Sequence, residues 1–437
     1  MNVYDYSRLS GSRISNLCRR NPVGDPDLLK VCSRIFSAVE EKGDDAVREY
    51  TLRFDRAEIR EPRVARTEFE SALGQVSPVR LEALQRAASN IRAFHAAQGL
   101  REGILEVEPG IACWREQRPI ERVGLYVPGG TAVLPSTVLM LGVPAVLAGC
   151  PRVVLCTPPR GDGSVTPEVL AAASIAGIRE VFRIGGAQAI AALCLGTSSV
   201  PRVDKILGPG SPVVQTAKLL AQQRGVAIDM VAGPSEVLVV ADDTARPGFV
   251  AADLISQAEH GADSLAILAS PSFELIDRVR RELDLRLGDL PRRDLAAAAL
   301  GSSFAVRTSS LEEALEFANR YAPEHLILQV REPKRWVARV QAAGSVFLGP
   351  WSPEVAGDYA SGTNHTLPTS GLARSFSGVS LESFVKKITF QQLSREGLRS
   401  LAPTLEVMAE LEQLEGHRRA VEVRIGSGEA GRTPAGD

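Results

Sequence analysis

Histidine is scarce in this chain: His95, His260, His325, His365 and His417 are the only five in 437 residues. An excess of either charge is equally lacking. The 50 Lys and Arg against 52 Asp and Glu leave a net charge of −2, which gives no basic face for nucleic acid or an anionic membrane. The start, Met1-Asn2-Val3-Tyr4-Asp5-Tyr6, is followed by Arg13, Arg19 and Arg20 but by no apolar export core, so a cytoplasmic protein is expected. The six cysteines, Cys18, Cys32, Cys113, Cys150, Cys156 and Cys194, have no Cys-x-x-Cys spacing and read as reduced, buried thiols. One long run without charge, Ala132–Cys150, is broken by Pro135, Gly142, Pro144 and Gly149, and reads as a buried helix rather than a membrane span.

A chain of this length needs more than one core. Residues 1–118 read as mainly helical, with a helix start at Pro26-Asp27 and a 3.6-residue period through Val31, Ile35, Phe36 and Val39; nothing in them looks chemical. From Glu121 short apolar strands alternate with helices, at Arg122–Val127, Arg152–Cys156, Glu180–Ile184 and Val203–Leu207. A second series runs through Glu236–Ala241, Ser264–Ala269, Phe304–Val306, His325–Val330 and Ser345–Leu348. This is the βαβ rhythm of parallel sheets covered by helices. The predicted fold is α/β: two Rossmann-like parallel-sheet domains, 119–235 and 236–350, with a helical N-terminal segment and an extended C-terminal one. Residues 351–425 form that C-terminal tail, with a helix from about Leu401 to Arg419 and a strand Val421–Ile425. Residues 426–437, rich in Gly, Ala and Pro, have the composition of a disordered end.

Four histidines stand beside Glu, Asp, Gly or Pro. Gln257 and His260, three apart at a helix end, share a face and make half of a metal site, although a polar helix end with a capping His has the same pattern. Glu324-His325 follows Pro323 at a strand start, where an irregular backbone lets a carboxylate and an imidazole serve one site as an acid–base pair. Asp358, in Gly357-Asp358-Tyr359, is a third metal candidate, and Glu412 and His417 flank a helix end suggested by Gly416. Glycine turns follow strands at Gly129-Gly130, Gly185-Gly186 and Gly208-Pro209-Gly210. Each brings amides toward a helix N-terminus, as phosphate binding needs and as tight βα turns need anyway. None is Gly-x-Gly-x-x-Gly, and no acidic residue stands at a second strand end to hold a ribose. Tyr126, at a strand end, can pack on a flat ring or simply on its neighbours.

Longer strings add a resemblance. Gly124-Leu125-Tyr126-Val127-Pro128-Gly129-Gly130, Gly185-Gly186-Ala187-Gln188-Ala189-Ile190, Ala232-Gly233-Pro234-Ser235-Glu236, Ser256-Gln257-Ala258-Glu259-His260-Gly261, Ala322-Pro323-Glu324-His325-Leu326 and Gly357-Asp358-Tyr359 through Asn364-His365-Thr366 closely resemble histidinol dehydrogenase, in order and over nearly the whole chain. That resemblance implies oxidation of L-histidinol to L-histidine, the last step of histidine biosynthesis, with two NAD⁺ and one zinc ion (Zn2+) per subunit. It implies Gln257, His260, Asp358 and His417 as zinc ligands and Glu324 and His325 as the proton-transfer pair. Substrate contacts would be Ser235, His325 and Glu412 beside the metal ligands, and NAD contacts Tyr126 and Gln188. Ser211 stands where the family carries Asn in Gly-Pro-Gly-Asn, and its hydroxyl has a shorter reach. The resemblance also implies a homodimer in which the tail carrying Glu412 and His417 completes the neighbouring subunit's site.

Four electrons leave an alcohol that becomes a carboxylate, hence two NAD⁺ with an aldehyde between them. Each oxidation needs a base, which His325 suits, and the second needs a water that Glu324 can activate. A sister zinc- and NAD-dependent dehydrogenase of another small polar alcohol would share most of this pattern, but Glu412 would repel a sulfonated one. A zinc hydrolase would not need the glycine-rich βα turns, nor a mere binding protein Glu324-His325.

Overall fold

The computed structural model describes residues 1–20, 25–99, 103–129 and 133–426. Gly130, Ala132 and the tail 427–437, all named in the sequence reading, lie outside them. The chain divides into two compact units, Met1–Gln98 with Ile120–Phe384, and Gly99–Pro119 with Val385–Asp437.

The first unit contains two parallel sheets. One has five strands in the order Glu180–Arg183, Arg152–Thr157, Arg122–Tyr126, Lys205–Leu207 and Ala227–Ile228. The uncharged run becomes the buried helix Pro135–Leu147, packed in one core with Leu125, Leu155 and Ile178. Helices Pro26–Lys42 and Gly186–Leu195 contribute to a second core with Val154, Phe182 and Ile206. The other sheet has six strands: Asn2–Asp5, Phe304–Arg307, Leu265–Ser270, Glu236–Ala241, His325–Gln329 and Ser345–Leu348. Every pairing in both is parallel. Near-continuous apolar strands such as Glu-Val-Leu-Val-Val-Ala at 236–241 are buried on both sides, as such sheets require. No helix among the described residues is long and apolar enough to cross a membrane.

The second unit is an antiparallel sheet, Val385–Leu393 against Ile111–Pro119 against Leu105–Glu108, with helices Arg395–Leu411 and Glu415–Gly426. Here the sequence reading needs correction. The strand expected at Val421–Ile425 is helical, because Arg418 pairs with Glu415 and Glu422, and Arg419 with Glu415, at three- and four-residue spacing. The helix break falls at Glu412–Leu414, where Gln413 is left-handed with φ 58°, and Gly416 lies inside the next helix. The N-terminal segment also contributes strands, Asn2–Asp5 to the six-stranded sheet and two to the second unit.

One buried ion pair underpins the carboxyl edge of the five-stranded sheet. Lys218 Nζ meets Asp229 Oδ1 and donates to Gly208 O at 2.9 Å, while Asp229 Oδ2 accepts from Gly208 N–H at 2.7 Å. Gly208 has φ 134°, and a side chain there would run into the Tyr126 carbonyl. Lys218→Met leaves Asp229 as an unpaired buried charge and is expected to cost about 3–5 kcal/mol, read from urea unfolding. A loss below about 1 kcal/mol would show that the pair behaves as a solvated one.

Candidate functional site

Ala322 ends helix Leu311–Tyr321 in the left-handed region with φ 53°, and Pro323 then prevents further helix. The chain therefore turns sharply, setting Glu324 just ahead of strand His325–Gln329. The neighbouring strand's first residue secures both side chains. Glu236 N–H donates to Glu324 Oε2 at 2.9 Å, and Glu236 O lies 3.3 Å from His325 Nδ1. A carbonyl only accepts, so in the neutral ring Nδ1 carries the proton and Nε2 is the basic atom, 3.4 Å from Asp358 Oδ1.

Helix Pro247–Ala258 ends with Gln257 buried and His260 just beyond, its N–H bonded to Gln257 O at 3.2 Å. Helix Glu354–Tyr359 presents Glu354 and Asp358 four residues apart on one face. His260, Glu354 and Asp358 each offer a ligand atom, all within 4.8 Å of one another. Neither Gln257 amide atom has a hydrogen-bond partner. His365 steadies the Asp358 backbone, with Nδ1 on Asp358 O at 2.8 Å and Nε2 on Thr137 Oγ1 at 3.1 Å.

Electrostatics follow from burial and crowding. Burial pushes the Glu324 and Glu354 carboxyls up to about 8, each opposed by His325. For His325 burial disfavours the charge, yet Glu354, Glu324 and Asp358 outweigh it and hold the imidazole up to about 10. Burial also opposes ionisation of Asp358, but His325 wins and keeps it below the usual carboxylate range. Burial pushes His260 and His365 toward the neutral form.

A cleft of about 360 Å³ joins these residues to the five-stranded sheet, lined by Pro128, Ser211, Ser235, His260, Glu324 and His365 among others. Ser211 opens helix Pro212–Gln223 without a side-chain cap, which leaves its hydroxyl unused there. Tyr126 is buried, its hydroxyl accepting from Gly186 N–H at 3.0 Å. Gln188 is buried in the helix that this turn opens, with neither amide atom paired. Glu412 and His417 belong to the second unit, both exposed, on either side of its helix break. His95, given no role, is buried and bonded to Ile91 O. All six cysteines are free.

Comparison with known proteins gives the family. The histidinol dehydrogenase family model matches residues 18–425. The chain belongs to this family. A histidinol dehydrogenase of Xanthomonas euvesicatoria is 50% identical over 98% of this chain and 99% of its own length, and one of Bacteroides fragilis is 49% identical over 95% and 97%. The crystal structure of histidinol dehydrogenase from Elizabethkingia anophelis superposes with a TM-score of 0.95 at 48% identity, covering 98% of each chain. The protein is accordingly an oxidoreductase with the family's α/β architecture.

Two residues of the site escape the sequence reading, Glu354 and Glu236. Glu354 stands four residues before Asp358, a spacing that points to it once Glu354–Tyr359 is known to be helical. Glu236 acts largely through its backbone, which leaves no mark in the residue type.

Asp253, four residues before Gln257, accepts from Gln329 Nε2 at 2.8 Å, and burial pushes its carboxyl up to about 6 against that bond. Its folded pKa exceeds that of an unfolded Asp, about 3.9, so the native state binds more protons across that window. The stability this group allows therefore falls as pH rises from about 4 to 6, and the penalty is complete above it. Asp253→Asn is expected to raise the urea midpoint at about pH 8 and leave it unchanged at about pH 4. An equal gain at both would assign the effect to packing.

Proposed function

We propose that the chain oxidises L-histidinol to L-histidine through L-histidinaldehyde, the last step of histidine biosynthesis, with two NAD⁺ and one zinc ion per subunit. What carries this reading is the Glu324–His325 pair set against the converging ligand atoms of His260 and Asp358. The donors suit zinc: an imidazole, a carboxylate and, in Gln257, a buried carboxamide that folding leaves without a partner. We assign the ion to Gln257, His260 and Asp358, with His417 from a neighbouring subunit. Bound there, zinc supplies a Lewis-acidic anchor for the substrate's amine and imidazole nitrogens. NAD⁺, held by Tyr126, Gln188 and Ser211, would supply the two-electron acceptor that each of the two oxidations needs.

The chain's own residues do the rest. A zinc ion on Asp358 would draw off one of the carboxylate charges that keep the His325 imidazole protonated, so that Nε2 can take the hydroxyl proton in the first oxidation and that of the hydrated aldehyde in the second. Glu324, held through Oε2 by Glu236 N–H, takes the proton of the water that adds to the aldehyde. Ser235 and Glu412 orient the substrate, the latter by its charge. Tyr126, Gln188 and Ser211 serve the cofactor. Six free thiols suit a reducing cytoplasm.

L-Histidinol and NAD⁺ should give NADH, and a chelator should abolish it; product formation undiminished by metal removal would overturn the zinc assignment. His325→Asn should keep the fold and lose ~10²–10⁴-fold in both half-reactions, the usual worth of a general base. Glu324→Gln should spare histidinol oxidation more than histidinaldehyde oxidation. Equal losses on the two substrates would end this division of labour.

The second unit supports a homodimer. Helices Arg395–Leu411 and Glu415–Gly426 expose Val407, Met408, Leu411 and Val423, with Leu411 72% exposed, an apolar set close in sequence to Glu412 and His417. Chains carrying His417→Ala and His260→Ala should each be inactive alone. In mixed dimers with shared sites, both lesions fall in one site and the other is intact, so activity should partly return. No recovery on co-expression would place His417 in its own subunit's site.

A further inference from the structure

Glu354 has no part in the chemistry proposed above, yet it is more deeply buried than Glu324 or Asp358. It is 0% exposed, and neither of its oxygens has a hydrogen-bond partner among the described residues. His325 Nδ1 lies 3.8 Å from Oε1, too far for a hydrogen bond, and that nitrogen already faces Glu236 O at 3.3 Å. A carboxylate in such a place is costly unless a cation meets it.

Two observations converge on one cation. A Glu354 oxygen lies within 4.8 Å of ligand atoms of both His260 and Asp358. Gln257, also 0% exposed, brings a carboxamide without partners from the helix that ends just before His260. Around an ion bonded at ~2.1 Å, tetrahedral ligand atoms stand ~3.4 Å apart, a contraction within reach of side-chain rotation. Charge points the same way. Gln257 and a neutral His260 bring none, so Asp358 alone leaves a buried dication with one positive charge uncompensated, and Glu354 balances it.

We propose that Glu354 is a zinc ligand of the single chain, filling the coordination place that His417 from a neighbouring subunit takes on assembly. This rests on the zinc and crossing-tail readings above. His417 belongs to the second unit, whereas Gln257, His260, Glu354 and Asp358 all belong to the first. Four ligands are therefore in hand before any partner arrives. The chain loads zinc first, and pairing then exchanges a carboxylate for an imidazole. Glu354 stays beside the metal as a counter-charge.

Equilibrium competition with a chromophoric zinc chelator reads this in the full chain without turnover. Wild type should hold one zinc per chain, and Glu354→Gln should stay within ~10-fold of its affinity, since His417 then fills the place. His417→Ala should also keep one zinc per chain and lose no more than ~100-fold, the size of an outer-shell change. Adding Glu354→Gln to it should cost a further ~100-fold or more, so the two losses do not add. Glu354→Gln weakening zinc by the same factor in both backgrounds, or in neither, overturns the assignment alone. So does a His417→Ala chain that holds no zinc. If the double variant fails to fold, the crystal structure of zinc-loaded His417→Ala decides. A Glu354 oxygen should lie ~2.0–2.2 Å from the ion, and its absence from that shell overturns the assignment. Wild type that holds no zinc overturns the zinc reading and the assignment with it.

Discussion

Glu236 is the residue on which the arrangement of Glu324 and His325 hangs. Its N–H and C=O are taken by Glu324 and His325, a consequence of the parallel register that sets His325 opposite Val237. Its side chain is fixed in turn, Oε1 lying 3.0 Å from Arg20 Nε and accepting from Ser370 N–H at 3.0 Å. Arg20 stacks 3.5 Å above the Tyr321 ring and donates to Tyr321 O, in the helix whose end aims Glu324. Burial pushes the Glu236 carboxyl up to about 7 while Arg20 opposes it. Breaking such a buried pair costs more than its formation gains, because the carboxylate left behind cannot reach water. The N-terminal segment, the 311–321 helix and the loop at 370 thus converge on one residue, and Glu324 and His325 inherit its rigidity.

Two sheets present opposite edges to the site. Tyr126, Gly186 and Gly208 lie at or past carboxyl ends of strands in the five-stranded sheet, where parallel α/β folds place ligands beside a reversal of strand order. Here that reversal lies between Arg122–Tyr126 and Lys205–Leu207. Ser235, Glu324 and His325 lie instead at amino ends of strands in the six-stranded sheet. The glycine turns proposed to admit a cofactor and the side chains proposed for acid–base work therefore come from different sheets. This explains why no single motif joins them in the sequence.

Legibility followed the same division. Buried parallel strands are runs of Val, Ile, Leu and Ala bounded by turns, and Glu236–Ala241 and Ser345–Leu348 were placed to the residue. Asn2–Asp5 and Val385–Leu393 were not, because their pairing partners are distant in sequence and neither strand is fully buried. Val421–Ile425 alternates like a strand, but the four-residue ion pairs around Arg418 and Glu415 decide for helix. Gln257, His260, Asp358, Glu324 and His325 were visible through their unusual neighbours, and the structure brings all five into one unit.

Buried polar atoms without partners mark where the fold holds something back. Several of them belong to residues described above: both amide atoms of Gln188 and Gln257, both oxygens of Glu354 and Nε2 of His325. Each such group costs about 1–3 kcal/mol that ordinary folding would avoid by pairing it or replacing it with an apolar residue. Others lie away from the candidate site, such as Thr51 Oγ1 and His95 Nε2, whereas Asp229 has both oxygens in use, by Lys218, Gly208 and Met230. The contrast lies in what each group is for. Asp229 holds a turn and is satisfied within the chain, whereas the open donors and acceptors of Gln257, Glu354 and His325 are free for the ligands proposed above.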